Sequence, residues 1–309
     1  MSTKYGHLVV GVVAGLLVTT PALAIQLTQV TFGAPQPYTQ SEFDPAWSPD
    51  GSRLAFSADF YAPGAFESWW YIGLLELPGG TPAEFQPTTD IDGVYYNVHP
   101  VWSPDGTQLA FRGGYPVGGL WLASVATGVA DRLTDEMPAS LAWSPDGTRI
   151  AIEAPWGVIR VVDVMGGVVS PLVPQADAHN PAWSADGSKL AYDSGGQIWV
   201  LEIATGMAMQ VTTAPGNNQH PSWSPNGHWI AYGSGADLWV IGSTGGPAMQ
   251  LTSGPAYESQ PVWSPDGQRI AFTIWNPNDG LHIWVASDLP KFTVPVSATS
   301  WSAVKQVYR

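Results

Sequence analysis

The sequence predicts an all-β chain, a six-bladed β-propeller of four-stranded antiparallel blades closed by an N-terminal strand. Three observations lead there. The first is a recurring tryptophan, in "DPAWSPDG" at Trp47, "HPVWSPDG" at Trp102, "LAWSPDG" at Trp143, "NPAWSADG" at Trp183, "HPSWSPNG" at Trp223 and "QPVWSPDG" at Trp263, at intervals of 55, 41, 40, 40 and 40 residues. A period near forty with four strand-like pieces per unit is the signature of a propeller blade. The second is the composition of each unit. The third is a fourth-strand phrase missing from the last repeat and present at the beginning of the chain.

Each unit opens on a short strand that carries the Trp and runs into Pro-Asp-Gly or a variant of it. In this turn Pro presets φ, Asp tolerates the bend and Gly takes positive φ. The second strand follows as "RLAFSA", "QLAFRG", "RIAIEA", "KLAYDS", "WIAYGS" and "RIAFTI", in which large apolar residues alternate with small or polar ones as a pleat requires. The third strand is seen in "GLWLASV", "VIRVVDV", "QIWVLEI", "DLWVIGS" and "HIWVASD", and a short fourth in "DRLTD", "MQVTT" and "MQLTS". One such sheet cannot bury both faces, so neighbours must stack around an axis until the ring closes. The recurring Trp fills the wedge between blades. The sixth unit lacks the fourth strand, but "IQLTQVTFG" near the start repeats it, with Gln29-Val30-Thr31 copying Gln210-Val211-Thr212. Residues 26 to 32 are therefore expected to form the outer strand of the sixth blade, leaving no open edge. The alternative closing strand, "FTVPVSA" from Phe292 to Ala298, contains Pro295, which removes a ladder donor.

Residues 1–24 read as a secretory signal peptide, with Lys4, an apolar run from Leu8 to Val18 and the small-x-small site Ala22-Leu23-Ala24. The run is too short to span a bilayer. The expected organisation is a signal peptide (1–24), the propeller (25–288) and a C-terminal tail (289–309), in a periplasmic or extracellular monomer without a transmembrane span. The chain has no cysteine, which excludes disulfides, thiolate metal sites and a cysteine nucleophile. Cleavage would remove Lys4 and take the formal charge from −14 to −15. Such a surface repels phosphate backbones, so nucleic acid is excluded as a partner.

At "PxWSPDGxxIAF" the sequence resembles the TolB-type propeller repeat, a WD-repeat-like family of bacterial periplasmic and secreted proteins, over residues 26 to 288. The resemblance implies one of three uses known for such propellers. They serve as the protein-binding part of the Tol–Pal envelope system, as the non-catalytic gate of prolyl-oligopeptidase-like hydrolases, or as the catalytic body of oligogalacturonate lyases. TolB carries an α/β domain ahead of its propeller, whereas residues 25–46 alone separate the signal from the first Trp here. The G-x-S-x-G elbow of the hydrolases is absent.

The family topology implies that the residue just before each Pro-x-Trp or Leu-Ala-Trp lies at a funnel around the axis. These residues are Asp44, His99, Ser140, Asn180, His220 and Gln260, all polar, and such a ring suits a peptide or a sugar. The long first interval adds aromatics in "ADFYAPGAFESWWYIG" and "TTDIDGVYYNVHP", and the sixth unit adds "TIWNPNDGLH". Phe60, Tyr61, Phe66, Trp69, Tyr95, Tyr96 and Trp275 are thus candidates for an aromatic rim, because Trp and Tyr offer rigid contact area with a polar tip. The leading expectation is a non-catalytic propeller that binds a protein or peptide segment, with carbohydrate as the other ligand class and no cofactor. The alternatives are a metal-dependent lyase using His179, Gln219 and His220, and a structural part of an envelope or extracellular assembly. No metal site is assigned. His99 stands across the axis from His220, and Asp90 and Asp92 in "TDIDG" lack the later ligands of a calcium loop.

Overall fold

In each repeat the Ser-Pro-Asp-Gly turn ties its two strands together through side chains. Ser48 Oγ donates to Asp50 Oδ1 and accepts from the Arg53 amide at 2.9 Å. Asp50 in turn accepts from the Ser52 amide at 3.0 Å. The same device recurs at Ser103–Asp105, Ser144–Asp146, Ser184–Asp186, Ser224–Asn226 and Ser264–Asp266. It holds the left-handed glycine of every turn, for example Gly106 at φ 72°.

The computed structural model describes residues 25–31, 39–61, 68–85, 96–114, 117–173, 177–277, 280–290 and 292. They form six four-stranded antiparallel sheets. Blade one comprises Thr39–Trp47, Arg53–Tyr61, Ser68–Glu76 and Ala83–Phe85. The inner, Trp-bearing strands of blades two to six are Val98–Trp102, Leu141–Trp143, His179–Trp183, Asn218–Trp223 and Tyr257–Trp263. The fold is the six-bladed propeller that the repeat predicts. The signal-peptide reading falls on residues 1–24, outside the described residues.

Closure follows the copied phrase. Gln26–Gln29 pairs antiparallel with Gly280–Ser287, from Gln26↔Ser287 to Gln29↔Trp284. The mimicry extends to side chains. Thr31 Oγ1 accepts the Ile283 amide at 2.9 Å, as Thr212 accepts Ile198 at 2.8 Å and Thr252 accepts Leu238 at 2.9 Å. Gln29 Nε2 donates to the Thr31 carbonyl as Gln210 Nε2 does to Thr212. Replacing the buried Thr31 by Val strands the Ile283 amide. It is expected to cost about 1–3 kcal/mol of unfolding free energy, the penalty for an unsatisfied buried donor, measured by urea denaturation.

The core is six clusters, each lying between two blades. Trp102 packs on Ala46, Ala55, Ile72 and Phe85 of blade one, and Trp47 closes the ring against Ala271, Ile283 and Val285 of blade six. The indole also fixes blade spacing. Nε1 of Trp47, Trp102 and Trp223 donates to the carbonyl of Val262, Ala46 and Ala182, the residue preceding the Trp of the neighbouring blade. Trp143 differs from the expectation. It is half-buried at the edge of its cluster while the other five are buried.

Candidate functional site: the axial ring

Five of the six residues expected at the funnel share a conformation that non-glycine residues rarely adopt. Asp44, His99, Asn180, His220 and Gln260 have φ of 52°, 54°, 50°, 54° and 54°. At about 1–2 kcal/mol for an L-residue in the left-handed region, this is strain that the surrounding structure must hold in place. Its cause is local. Each stands before a proline, and each inner strand carries a bulge there: Phe43 pairs with Ser57 and Ala46 with Ala55, so Asp44 and Pro45 together oppose one residue. The other register shifts lie at Val98/Val101, His179/Ala182, Gln219/Ser222 and Ser259/Val262. A bulge accommodates a proline and re-aims the side chain beside it. Ser140 is the exception among the expected ring residues. Leu141 replaces the proline, the Leu141–Trp143 pairing has no shift, and Ser140 is not left-handed.

A second ring, which sequence reasoning missed, holds the first. It is the fifth residue of the second strands, namely Ser57, Arg112, Glu153, Asp193, Gly233 and Thr273. Ser57 Oγ donates to Asp44 at 3.0 Å and accepts the His99 amide of the next blade at 2.8 Å. Glu153 accepts Ser140 Oγ at 2.8 Å and the Asn180 amide at 3.1 Å. Asp193 accepts Asn180 Nδ2 at 2.9 Å and the His220 amide at 3.0 Å. Thr273 Oγ1 donates to Gln260 at 3.0 Å, and Gln260 exchanges bonds with the backbone and carboxylate of Asp44. Ser57, Glu153 and Asp193 each grip their own blade's ring residue and the amide of the next, and Gln260 itself takes the Asp44 amide, so the network carries the strain across blades. At Gly233 there is no side chain to do this.

The ring is electrostatically coupled across the axis. Burial pushes the His220 imidazole below its usual value, against the opposing pull of Asp193, Asp44 and Glu153, which come from blades four, one and three. Burial raises the Asp193 carboxyl, partly offset by the bonds from Asn180 and the His220 amide. At Asp44 burial works upward but is outweighed by His99, whose Nδ1 lies 2.7 Å from the carboxylate, so the group ends below its ordinary range. His179 is pushed down by burial and up by Glu153 and Asp177, the latter prevailing. Both of its ring nitrogens are engaged, Nδ1 with Glu153 at 2.8 Å and Nε2 with Asp177 at 3.2 Å. Among the described residues no three His, Asp or Glu side chains form a metal-binding group. Asp90 and Asp92 lie outside the described residues.

The expected aromatic rim is resolved in part. Phe66 and Tyr95 lie outside the described residues, and Tyr61, Phe60 and Trp69 are placed by backbone alone, in the pairs Tyr61↔Ser68 and Phe60↔Trp69. This hairpin rises on the same face as Asp44. Tyr96 is exposed and leans on Trp70, which meets Phe43 edge to face at 5.6 Å. Trp275 is 48% exposed and pairs with Tyr257, also exposed, on the neighbouring sixth blade. A further aromatic was missed. Trp156, in the "PWG" turn of blade three, is 93% exposed with φ 71°, and the following Gly157 packs against His179 and Asp177. An exposed Trp between Pro and Gly at a hairpin tip is a signal that a sequence reading can use.

Residues 158–276 match the family described as the TolB beta propeller domain. Over these residues the blades are similar to those of a TolB-type β-propeller. It is similar in structure to TolB from Acinetobacter baumannii, with TM-score 0.60 and 24% identity over 73% of this chain, which spans 57% of that TolB's length. It is also similar to a putative TolB from Agrobacterium tumefaciens, with TM-score 0.61 and 20% identity, covering 81% of this chain and 91% of the other. Oligogalacturonate lyase from Vibrio parahaemolyticus shares the fold as well, with TM-score 0.58 and 13% identity over 88% and 95% of the two chains. Comparison with curated protein sequences gives no match. The structural likenesses show the architecture, and the chemistry of the candidate site has to be argued from its own residues.

Proposed function

We propose that this TolB-like propeller is a periplasmic or extracellular binding module that holds a protein segment over its axial ring, without catalysing a reaction. The observation that carries the reading is the set of five strained residues, Asp44, His99, Asn180, His220 and Gln260, the first four with their amides held by bonds from the preceding blade. Strain maintained at equivalent positions presents polar side chains to the axis at a fixed geometry, which is what recognition of backbone and side-chain polar groups demands. The likeness to TolB proteins supports this reading. The exposed Trp156, Tyr96 and Trp275 supply apolar contact beside the ring.

The lyase reading draws on the likeness to oligogalacturonate lyase. It is disfavoured because His179 spends both nitrogens on carboxylates, and because a strongly acidic surface repels a polyuronate.

The test is capture of extracellular and envelope proteins on the immobilised chain. A specific partner retained by the wild type is expected to lose at least tenfold in affinity with His220→Gln or Asp44→Asn. It should be unaffected by Asp131→Asn on the outer strand of blade two. Retention of the partner by both ring variants, or metal-dependent cleavage of uronate oligomers lost with His220→Gln, refutes the proposal.

A further inference from the structure

The face opposite the ring carries its own repeating contact. The turn glycine of each blade lies against the turn proline of the preceding one. A Cβ on Gly51, Gly106, Gly147, Gly187 or Gly267 would stand 3.7, 3.6, 4.0, 3.3 or 3.5 Å from Pro265, Pro49, Pro104, Pro145 or Pro225. The sixth junction breaks the pattern. In blade four the motif reads Ser184-Ala185-Asp186-Gly187, and a Cβ on Gly227 would meet nothing within 4 Å. A pocket of about 290 Å³ opens there, lined by Ala185, Lys189, Trp223, Pro225, Asn226 and Gly227, together with Ser184 and Asp186. The missing pyrrolidine explains why this junction has a pocket.

The neighbouring junction, whose proline contact is intact, carries the start of the C-terminal segment. Between blades five and six the position that holds Arg53, Arg149 or Arg269 over a Trp ring elsewhere is Trp229. Phe292, beyond the last blade strand, seats itself there, 5.5 Å from Trp229 and 5.6 Å from Trp263 between ring centroids. Seventeen residues follow Phe292, and Pro295 is three positions on. Trp229 is two residues from Gly227, so the step from the Phe292 slot to the pocket crosses one turn. Three extended residues span about 10 Å, which is the spacing of packed sheets.

We propose that the pocket between blades four and five is a binding site for a proline side chain, and that its occupant is Pro295 of this chain's own C-terminal segment. Five junctions of the same wheel use a proline ring in this position, so the site's shape is that of the residue it lacks. A proline against the edge of Trp223 buries apolar area at little entropic cost, because the ring is already rigid. Tethering three residues away supplies an effective concentration far above that of a free segment. The tail would then complete the circle of turn contacts just as the N-terminal strand completes the circle of sheets.

The absence of cysteine makes the test direct. In the full chain carrying Ala185→Cys and Pro295→Cys, air oxidation is expected to form an internal disulfide in most molecules. The pair Thr107→Cys and Pro295→Cys, which places the first thiol at a distant turn, should give at least tenfold less. Ala185→Pro closes the pocket and is expected to speed tryptic cleavage at Lys305 at least tenfold, as is Pro295→Ser. Equal cross-linking in the two cysteine pairs, or cleavage rates unchanged by both Ala185→Pro and Pro295→Ser, overturns the proposal. It is also overturned if the disulfide fails to form while the free peptide acetyl-Val-Pro-Val-Ser-amide shifts the Gly227 amide resonance, since the site then takes its proline from another molecule.

Discussion

Replacing Glu42 by Ala is expected to lower the unfolding free energy by about 3–5 kcal/mol, the cost of leaving one member of a buried, hydrogen-bonded carboxyl–imidazole pair alone. Glu42 Oε2 lies 2.8 Å from His282 Nδ1, and the side chains are 3% and 4% exposed. The two residues are far apart in the chain and adjacent in the wheel, one on the first inner strand and one on the third strand of the sixth blade. The pair therefore bears on the junction where the ring closes. At the junction of blades four and five the equivalent bridge is neutral, with Asn218 Nδ2 donating to Gln197 at 3.2 Å and to the Gly196 carbonyl at 3.1 Å. His282→Ala should cost a similar amount. The double variant Glu42→Leu with His282→Leu should recover most of the loss, because paired apolar replacement removes the desolvation penalty of both groups. Urea denaturation of the four proteins decides the matter. Single variants within 1 kcal/mol of wild type would show that the pair does not secure the closure.

The second large effect concerns pH. At the junction of blades five and six the same bridge is built from two acids. Glu258 is buried, accepts the Thr252 hydroxyl and feels Asp237 nearby. Burial, reinforced by the Asp237 charge against the Thr252 bond, raises its carboxyl from 4.5 to about 7. Burial raises Asp237 as well. Between these two values the folded chain keeps a proton that the unfolded chain releases. Stability from this group is thus fully present below pH 4.5 and is lost as pH rises through about 7. A shift of that size corresponds to about 3 kcal/mol in total. Glu258→Gln keeps a hydrogen-bond acceptor and removes the titration. Its melting temperature should exceed that of the wild type at pH 8 by several degrees, and the gap should close by pH 5. Taking the difference between the two proteins cancels the contributions of His179, His220 and Asp193, which titrate in both. A gap that is constant with pH, or that widens toward pH 5, would show that Glu258 is ionised throughout. The turn aspartates act in the opposite sense and at lower pH. Hydrogen bonds from the neighbouring serines and threonine hold Asp50 and Asp146 down to about 2. Their contribution is present at neutral pH and fades only in acid, and it is small because both carboxylates face solvent.

Much of the candidate ring's backbone geometry was legible in the sequence. The residue before the Pro-x-Trp motif marks a ring position in five repeats, and the absence of proline at Ser140-Leu141 marks the repeat whose ring residue is unstrained. The partners were not visible. Ser57, Glu153 and Asp193 stand one per repeat at a position whose only sequence signal is that it differs each time, as S, R, E, D, G and T. Variation within a structural repeat reads as a solvated site until the neighbouring blade is in place. Likewise Ala185 looks like a minor variant of the turn, and only the open side of Gly227 shows what it leaves uncovered.

By itself the sequence determined the wheel: six blades, their strand order, and the strand that closes them, because each of these is a local pattern repeated along the chain or, for Gln29-Val30-Thr31, copied from one place to another. The tertiary structure alone decided which unlike side chains meet across blades, among them Glu42 with His282, Glu153 with Asn180, and Phe292 with Trp229 and Trp263. These contacts join residues that no periodicity relates, and their geometry exists only after the ring has closed and brought the first blade against the last.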